Sequence, residues 1–175
     1  MKKHKKEHYI IDGYNVINSW PELVALRDNL SYARDRLIDI MAEYGAFEHY
    51  DITIVFDALF VDGNESHYEI NENLVVVYTE EGETADSYIE KFAYQLVREG
   101  KEVYVVTSDG IEQSVILGAG AYRIPSKEML RNVKKTKKKI AEEYTLPKHK
   151  IQRRELGGRI NDDIAKKLDI LRKKQ

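Results

Sequence analysis

The 175-residue chain contains no cysteine. That excludes disulfides, thiolate zinc sites and thiol nucleophiles together, and it argues against a small, stapled secreted domain. No apolar run approaches the ~20 residues that a membrane helix needs. The basic start, Met1-Lys2-Lys3-His4-Lys5-Lys6, is followed by only Tyr9-Ile10-Ile11 before Asp12, too little for the apolar region of a signal peptide. The sequence therefore predicts a cytoplasmic protein with no membrane partner. Several catalytic signatures are missing too. There is no G-x-x-x-x-G-K-[ST] phosphate loop and no G-x-S-x-G elbow. Gly118-Ala119-Gly120 opens a dinucleotide fingerprint, but Arg123 stands at its third glycine. A phosphoaspartate hydrolase would carry a second acid at position 14, which is Tyr14. His4, His8, His49, His67 and His149 have no ligand spacing and read as surface residues.

What is present is a globular balance, 42% hydrophobic and 33% charged, in a chain long enough for one domain with an appendage. The net charge of −2 conceals a division. Residues 1–122 hold 10 Lys/Arg against 23 Asp/Glu, a net of −13; residues 123–175 hold 18 against 7, a net of +11. A basic back half points to a polyanionic partner, most simply nucleic acid.

Four short runs, Tyr9–Ile11, Ile52–Phe56, Leu74–Tyr78 and Val103–Val106, are rich in β-branched and aromatic residues and nearly continuous. Strands buried on both faces of a parallel sheet read this way. A weaker fifth run is Ala121–Ile124, stopped by Pro125. Helical periodicity lies between them: a segment capped by Ser31 and closed by Gly45, one from Thr84 to Gly100, a short one over 111–118, and a long one from Ser126 to about Tyr144 that places Met129, Leu130, Val133, Ile140 and Tyr144 on one side. Residues 58–73 read as an exposed loop or hairpin. Asn161 can cap a last short helix. The order predicts an α/β fold, a doubly wound and mainly parallel sheet with a basic C-terminal helical extension. Its parts are a basic N-terminal extension (1–8), the α/β domain (9–145) and the C-terminal extension (146–175).

The first four strands end at acids: Asp12, Asp57, the group Glu80/Glu81/Glu83/Asp86, and Asp109. In an open α/β sheet the carboxyl ends of the strands share one edge, where ligands bind at the switch in strand order. Carboxylates gathered there repel one another, and a hard divalent cation, Mg²⁺ or Mn²⁺, relieves the repulsion through oxygen ligation. Such a centre suits phosphodiester hydrolysis. Each acid taken singly has an equally simple role as a cap of the turn or helix that follows, and Asp86 also gains from the helix dipole.

Asp12-Gly13-Tyr14-Asn15-Val16-Ile17, Ser19-Trp20-Pro21-Glu22-Leu23, Val55-Phe56-Asp57-Ala58, Glu83-Thr84-Ala85-Asp86 and Thr107-Ser108-Asp109 occur in this order. The pattern resembles the YacP-type NYN domain, a relative of the PIN-like nucleases, and the likeness extends over roughly residues 8 to 135. Within that group it is similar to the ribosome-associated endoribonucleases of Gram-positive bacteria that cleave mRNA in the ribosomal A site. The resemblance implies a sheet order of 3-2-1-4-5 and metal-dependent RNA cleavage, with mRNA and the ribosome as partners. It matches Asp12, Asp86 and Asp109 to the family's central acids and metal ligands, and Asp57 to a further acidic position. Asn15 would orient Asp12, a metal water or a phosphate, or else cap the turn after the first strand. Ser108 would orient a water or phosphate, or serve its turn. Lys134, Lys135, Lys137, Lys138 and Lys139, with Arg153 and Arg154, are candidate contacts to RNA or the ribosome, or a solvated face. Two rival readings are a non-catalytic RNA- or ribosome-binding module and a flap-type DNA nuclease.

Overall fold

The computed structural model describes residues 6–58, 66–108, 118 and 120–145. In chain order the elements are β1 (Glu7–Asp12), α1 (Gly13–Ser19), α2 (Pro21–Val24), α3 (Leu30–Glu48), β2 (Asp51–Phe56), β3 (Ser66–Asn71), β4 (Leu74–Tyr78), α4 (Ala85–Arg98), β5 (Glu102–Val106), β6 (Tyr122–Ile124) and α5 (Ser126–Thr145). The sheet order is β3-β4-β2-β1-β5-β6. All neighbours are parallel except β3, which returns antiparallel on β4. The five apolar runs thus lie in the expected 3-2-1-4-5 order, and the polar stretch before β4 contributes a sixth, edge strand. The expected short helix over 111–118, apart from its last residue, and the final helix capped by Asn161 fall outside the described residues.

Strands β1, β2, β4 and β5 each feed two cores. Tyr9, Ile11, Ile52, Ile54, Phe56, Leu74 and Val76 face α1, α2, α3 and the first turns of α5. Ile10, Val55, Val77, Val103 and Val105 face α4. This two-sided burial is why the strand sequences run apolar without alternation. The chain builds outward from β1 to β2, β4 and β3, then crosses to β5 and β6, so the order reverses between β1 and β5.

Helix ends follow local chemistry, with two corrections. Asn29, not Ser31, caps α3: its Oδ1 accepts from the N–H groups of Ser31 and Tyr32 at 3.1 and 3.4 Å. Gly45 does not end that helix. It is buried inside it, where a Cβ would come within 2.7 Å of Ile52 Cδ1, and the helix closes at His49, the one non-glycine residue with positive φ among those described. Helix α4 behaves as expected, with Thr84 Oγ1 accepting from Ser87 N–H and Gly100 in the left-handed region just beyond its end. The buried face of α5 is Ser126, Met129, Val133 and Thr136, the last donating to Glu48. It stops there, and Tyr144 is 84% exposed rather than on an apolar side. The sheet and its helices form one compact unit up to Lys138; residues 139–175 form a second, beginning with the last turns of α5.

His8 is a further correction, since it is buried and not on the surface. Strand β1 begins at Glu7, and this places the imidazole between the sheet and α4. Its Nε2 lies 2.9 Å from Thr53 Oγ1, and the Phe92 ring meets it edge-on at 5.6 Å. Among the described residues its Nδ1 has no hydrogen-bond partner. Burial first, then Lys101, push the imidazole down to about 4, against a smaller opposing pull from Asp51. A histidine held neutral in the fold and ordinary when unfolded stabilises fully above about pH 6.5, and that stability drains as pH falls toward 4. Chemical denaturation at pH 7 and pH 5 will show a loss of about 2 kcal/mol attributable to this group. The loss will be absent in His8→Gln.

Candidate active site

The carboxyl edge of the sheet is where the expected acids fall. Asp12 is the last residue of β1, in the switch position beside β5, and is only 8% exposed. Its backbone is extended and its Oδ1 accepts from Asn15 N–H at 3.3 Å, so the carboxylate caps α1. Asp57 follows β2 immediately, half-buried. The Asp12–Val55 register sets it two residues beyond Asp12 along the edge, a rise of about 7 Å. Asp86 is exposed in the first turn of α4, which starts from the same edge because β4 ends there. Asp109 lies outside the described residues. Among the described residues no three His, Cys, Asp or Glu side chains form a group that could hold a metal. A shared centre of Asp12, Asp86 and Asp109 therefore depends on the segment after Ser108.

The other acids around the start of α4 are spoken for differently. Glu83 pairs with Lys91 at 2.8 Å. Glu80, Glu81 and Glu83, with Ser87, Tyr88 and Lys91, line an open groove of about 740 Å³ against α4. Asp86 is not part of its lining.

Two polar braces hold this edge, and both use residues whose role only tertiary structure discloses. On one side, Asn15 Oδ1 accepts from the Ser108 N–H at 2.9 Å and from the Ser126 hydroxyl at 2.8 Å. Ser126 N–H in turn donates to Ser108 Oγ at 3.3 Å, and the Ser126 carbonyl accepts from Trp20 Nε1 at 2.7 Å. Asn15 and Ser108 thus bind α1, the end of β5 and the start of α5 to one another. On the other side, the buried Thr79 hydroxyl accepts from Ala58 N–H at 3.1 Å and donates to the Glu83 carbonyl at 2.8 Å. That joins the chain just after Asp57 to the turn leading into Asp86. Ser126 and Thr79 carry no sequence signal beyond cap and strand-end positions. Between the braces, Gly13 sits where a Cβ would come within 2.3 Å of Phe56 Cε1; only glycine lets α1 start this close to β2.

On the α3 side a described cation, Arg34, stands by this edge. Arg34 Nη1 donates to the Tyr14 hydroxyl at 3.1 Å. Burial raises the Tyr14 phenol above its ordinary range, Arg34 pulls it down and Asp57 adds to the rise. Tyr14 packs on Phe56. Neither Arg34 nor Tyr14 stands out as a site residue by spacing.

The candidate basic contacts fall on α5. Lys134, Lys135, Lys138 and Lys139 are exposed and Lys137 is half-buried; Arg153 and Arg154 lie outside the described residues. No described helix is long and apolar enough to cross a membrane.

The family model described as the YacP-like NYN domain matches residues 9–173. The protein YacP of Bacillus subtilis (strain 168) is 42% identical over 132 residues, which span 75% of this chain and 77% of that one. The crystal structure of Rae1 (YacP) from Bacillus subtilis superposes with a TM-score of 0.69 at 36% identity, covering 95% of this chain and 94% of that one. A tryptophan-to-leucine mutant of the same protein gives 0.68 at 38% identity, covering 78% and 80%.

The Asn15 brace makes a checkable claim about the edge. Asn15→Ala leaves the Ser126 hydroxyl and the Ser108 N–H without their acceptor. It will lower unfolding stability by about 1–3 kcal/mol, read by urea denaturation.

Proposed function

The chain belongs to the YacP-like NYN family, a family of nucleases, and we propose that it is a metal-dependent endoribonuclease that cleaves mRNA on the ribosome, in the cytoplasm. The observation that carries this reading is the placement of Asp12, a buried carboxylate at the switch point, with Asp57 beside it on the same braced edge. Asp12, Asp86 and Asp109 would hold Mg²⁺ or Mn²⁺. The donor chemistry fits, being hard carboxylate oxygen with no soft ligand. When bound, such an ion lowers the pKa of its water and neutralises charge on the scissile phosphate.

The chain's own residues prepare that site. Asp12 cannot swing away, because it is committed to the α1 N-terminus. Asn15, Ser108 and Ser126 fix the end of β5, from which Asp109 follows. Thr79 fixes the turn that delivers Asp86. Asp57 stands next along the edge, where it can orient an attacking water. The lysines of α5 supply a phosphate grip without sequence preference, on mRNA or on ribosomal RNA.

Cleavage of translated and naked mRNA by Asp12→Asn and Asp86→Asn tests the site. Each variant will fall beyond the ~100-fold loss typical of an outer-shell partner, and Mn²⁺ will raise the melting temperature of the wild type but not of Asp12→Asn. Undiminished cutting by both variants would remove the site assignment. Equal cutting of naked and translated RNA would remove the ribosome. RNA binding with neither cutting nor Mn²⁺ stabilisation would make the chain a binding module. Replacing Lys134, Lys135 and Lys138 together by Ala will weaken RNA or ribosome binding and flatten its log–log salt dependence by about 2–3, measured by binding at several salt concentrations.

A further inference from the structure

The same sheet edge carries a row of aromatic rings that the acids do not account for. Tyr14 packs on Phe56 with ring centroids 5.1 Å apart, Phe56 stacks on Tyr78 at 5.5 Å, and Tyr78 meets Tyr68 edge-on at 5.8 Å. The row crosses from α1 over β2 and β4 to the edge strand β3. The register explains it: Phe56 pairs with Tyr78, and Tyr68 lies opposite Val76, so all point to the α3 side of the sheet. Phe56 is fully covered, whereas Tyr14 and Tyr78 are half-buried and Tyr68 is 54% exposed. Ile70, at the bulge that follows Glu69, is also exposed.

A buried core would hide these rings, and an ordinary edge strand would not present Tyr and Ile outward. The row also contains a guanidinium. Arg34 acts on both the Tyr14 and the Tyr78 hydroxyls, and no carboxylate among the described residues lies within ion-pair distance of it. Its single hydrogen bond among the described residues, to Tyr14, leaves further N–H groups to donate. Ring faces with a guanidinium beside them are the chemistry that takes unpaired bases together with their phosphates. A protein partner would need more apolar area than two exposed side chains, and a duplex keeps its base faces stacked within itself. The row begins two residues after Asp12, so an occupant of the rings is delivered to the acids.

We propose that Tyr14, Tyr78 and Tyr68, with Arg34, form a stacking platform for unpaired bases of single-stranded RNA leading into the acidic edge. This deepens the endoribonuclease reading and rests on it for the substrate. Tyr68 is the ring to alter, since it is exposed on an edge strand and holds no core contact that the fold needs.

Binding is read by fluorescence anisotropy of a short, labelled, unstructured RNA in EDTA at low salt, where nothing is cut. Tyr68→Ala will weaken single-strand binding about 5- to 100-fold, and Tyr68→Trp will restore it. Binding to an RNA duplex of the same length will not change. A wild type that fails to bind the single strand, a Tyr68→Ala variant that binds it undiminished, an equal loss on duplex, or no restoration by Trp would each overturn the platform. Cleavage of translated mRNA with Mn²⁺ separates the two readings. Wild-type cutting with no effect of Tyr68→Ala on binding removes only the platform. The predicted binding pattern without wild-type cutting removes only the nuclease.

Discussion

A single side-chain carbonyl, that of Asn15, is the contact on which the site depends. It gathers a backbone N–H from the end of β5 and a hydroxyl from the start of α5, elements that are far apart in sequence and meet only at the reversal of strand order. Without that acceptor, the Ser126 hydroxyl, in a residue with no exposed surface, would be buried unpaired, and such a group costs more than the bond it makes is worth. Asn15 is itself set by Asp12, whose carboxylate caps the helix turn that carries it. The residue expected to take part in chemistry is thus also the start of the scaffold that fixes the edge.

Close approach supplies the second constraint. Gly13 lets α1 begin against Phe56, and Phe56 is the covered ring beneath Tyr14 and Tyr78. The acids and the aromatic row are therefore not independent surfaces. Both hang on the same helix start, and the first residues after β1 serve capping, packing and presentation at once.

Much of the architecture could be read in advance because its signal is local. Runs such as Ile52–Phe56 and Leu74–Tyr78 are apolar on both faces and admit few other structures. Thr84 and Gly100 bracket α4 with ordinary cap chemistry. The failures have equally physical causes. Strand β3, Ser66–Asn71, is exposed nearly throughout, so it carries no burial pattern to detect. Helices α1 and α2 are too short for periodicity. Gly45 looked like a helix end because glycine serves both as a terminator and as a close-packing residue, and only the position of Ile52 decides between them. In the site, the placing of Asp12 and Asp57 at one edge follows from topology. Thr79, Ser126 and Arg34 were illegible because each acts through a partner brought near only by the fold.

The braces share one property: every group in them is an amide, a hydroxyl or an indole, and none carries a charge. Those bonds themselves contain no group that titrates. The buried group whose titration reaches the weakly acidic range is His8, near the opposite, amino end of β1. A proton that enters the sheet at His8 unmakes it from the side away from the braces.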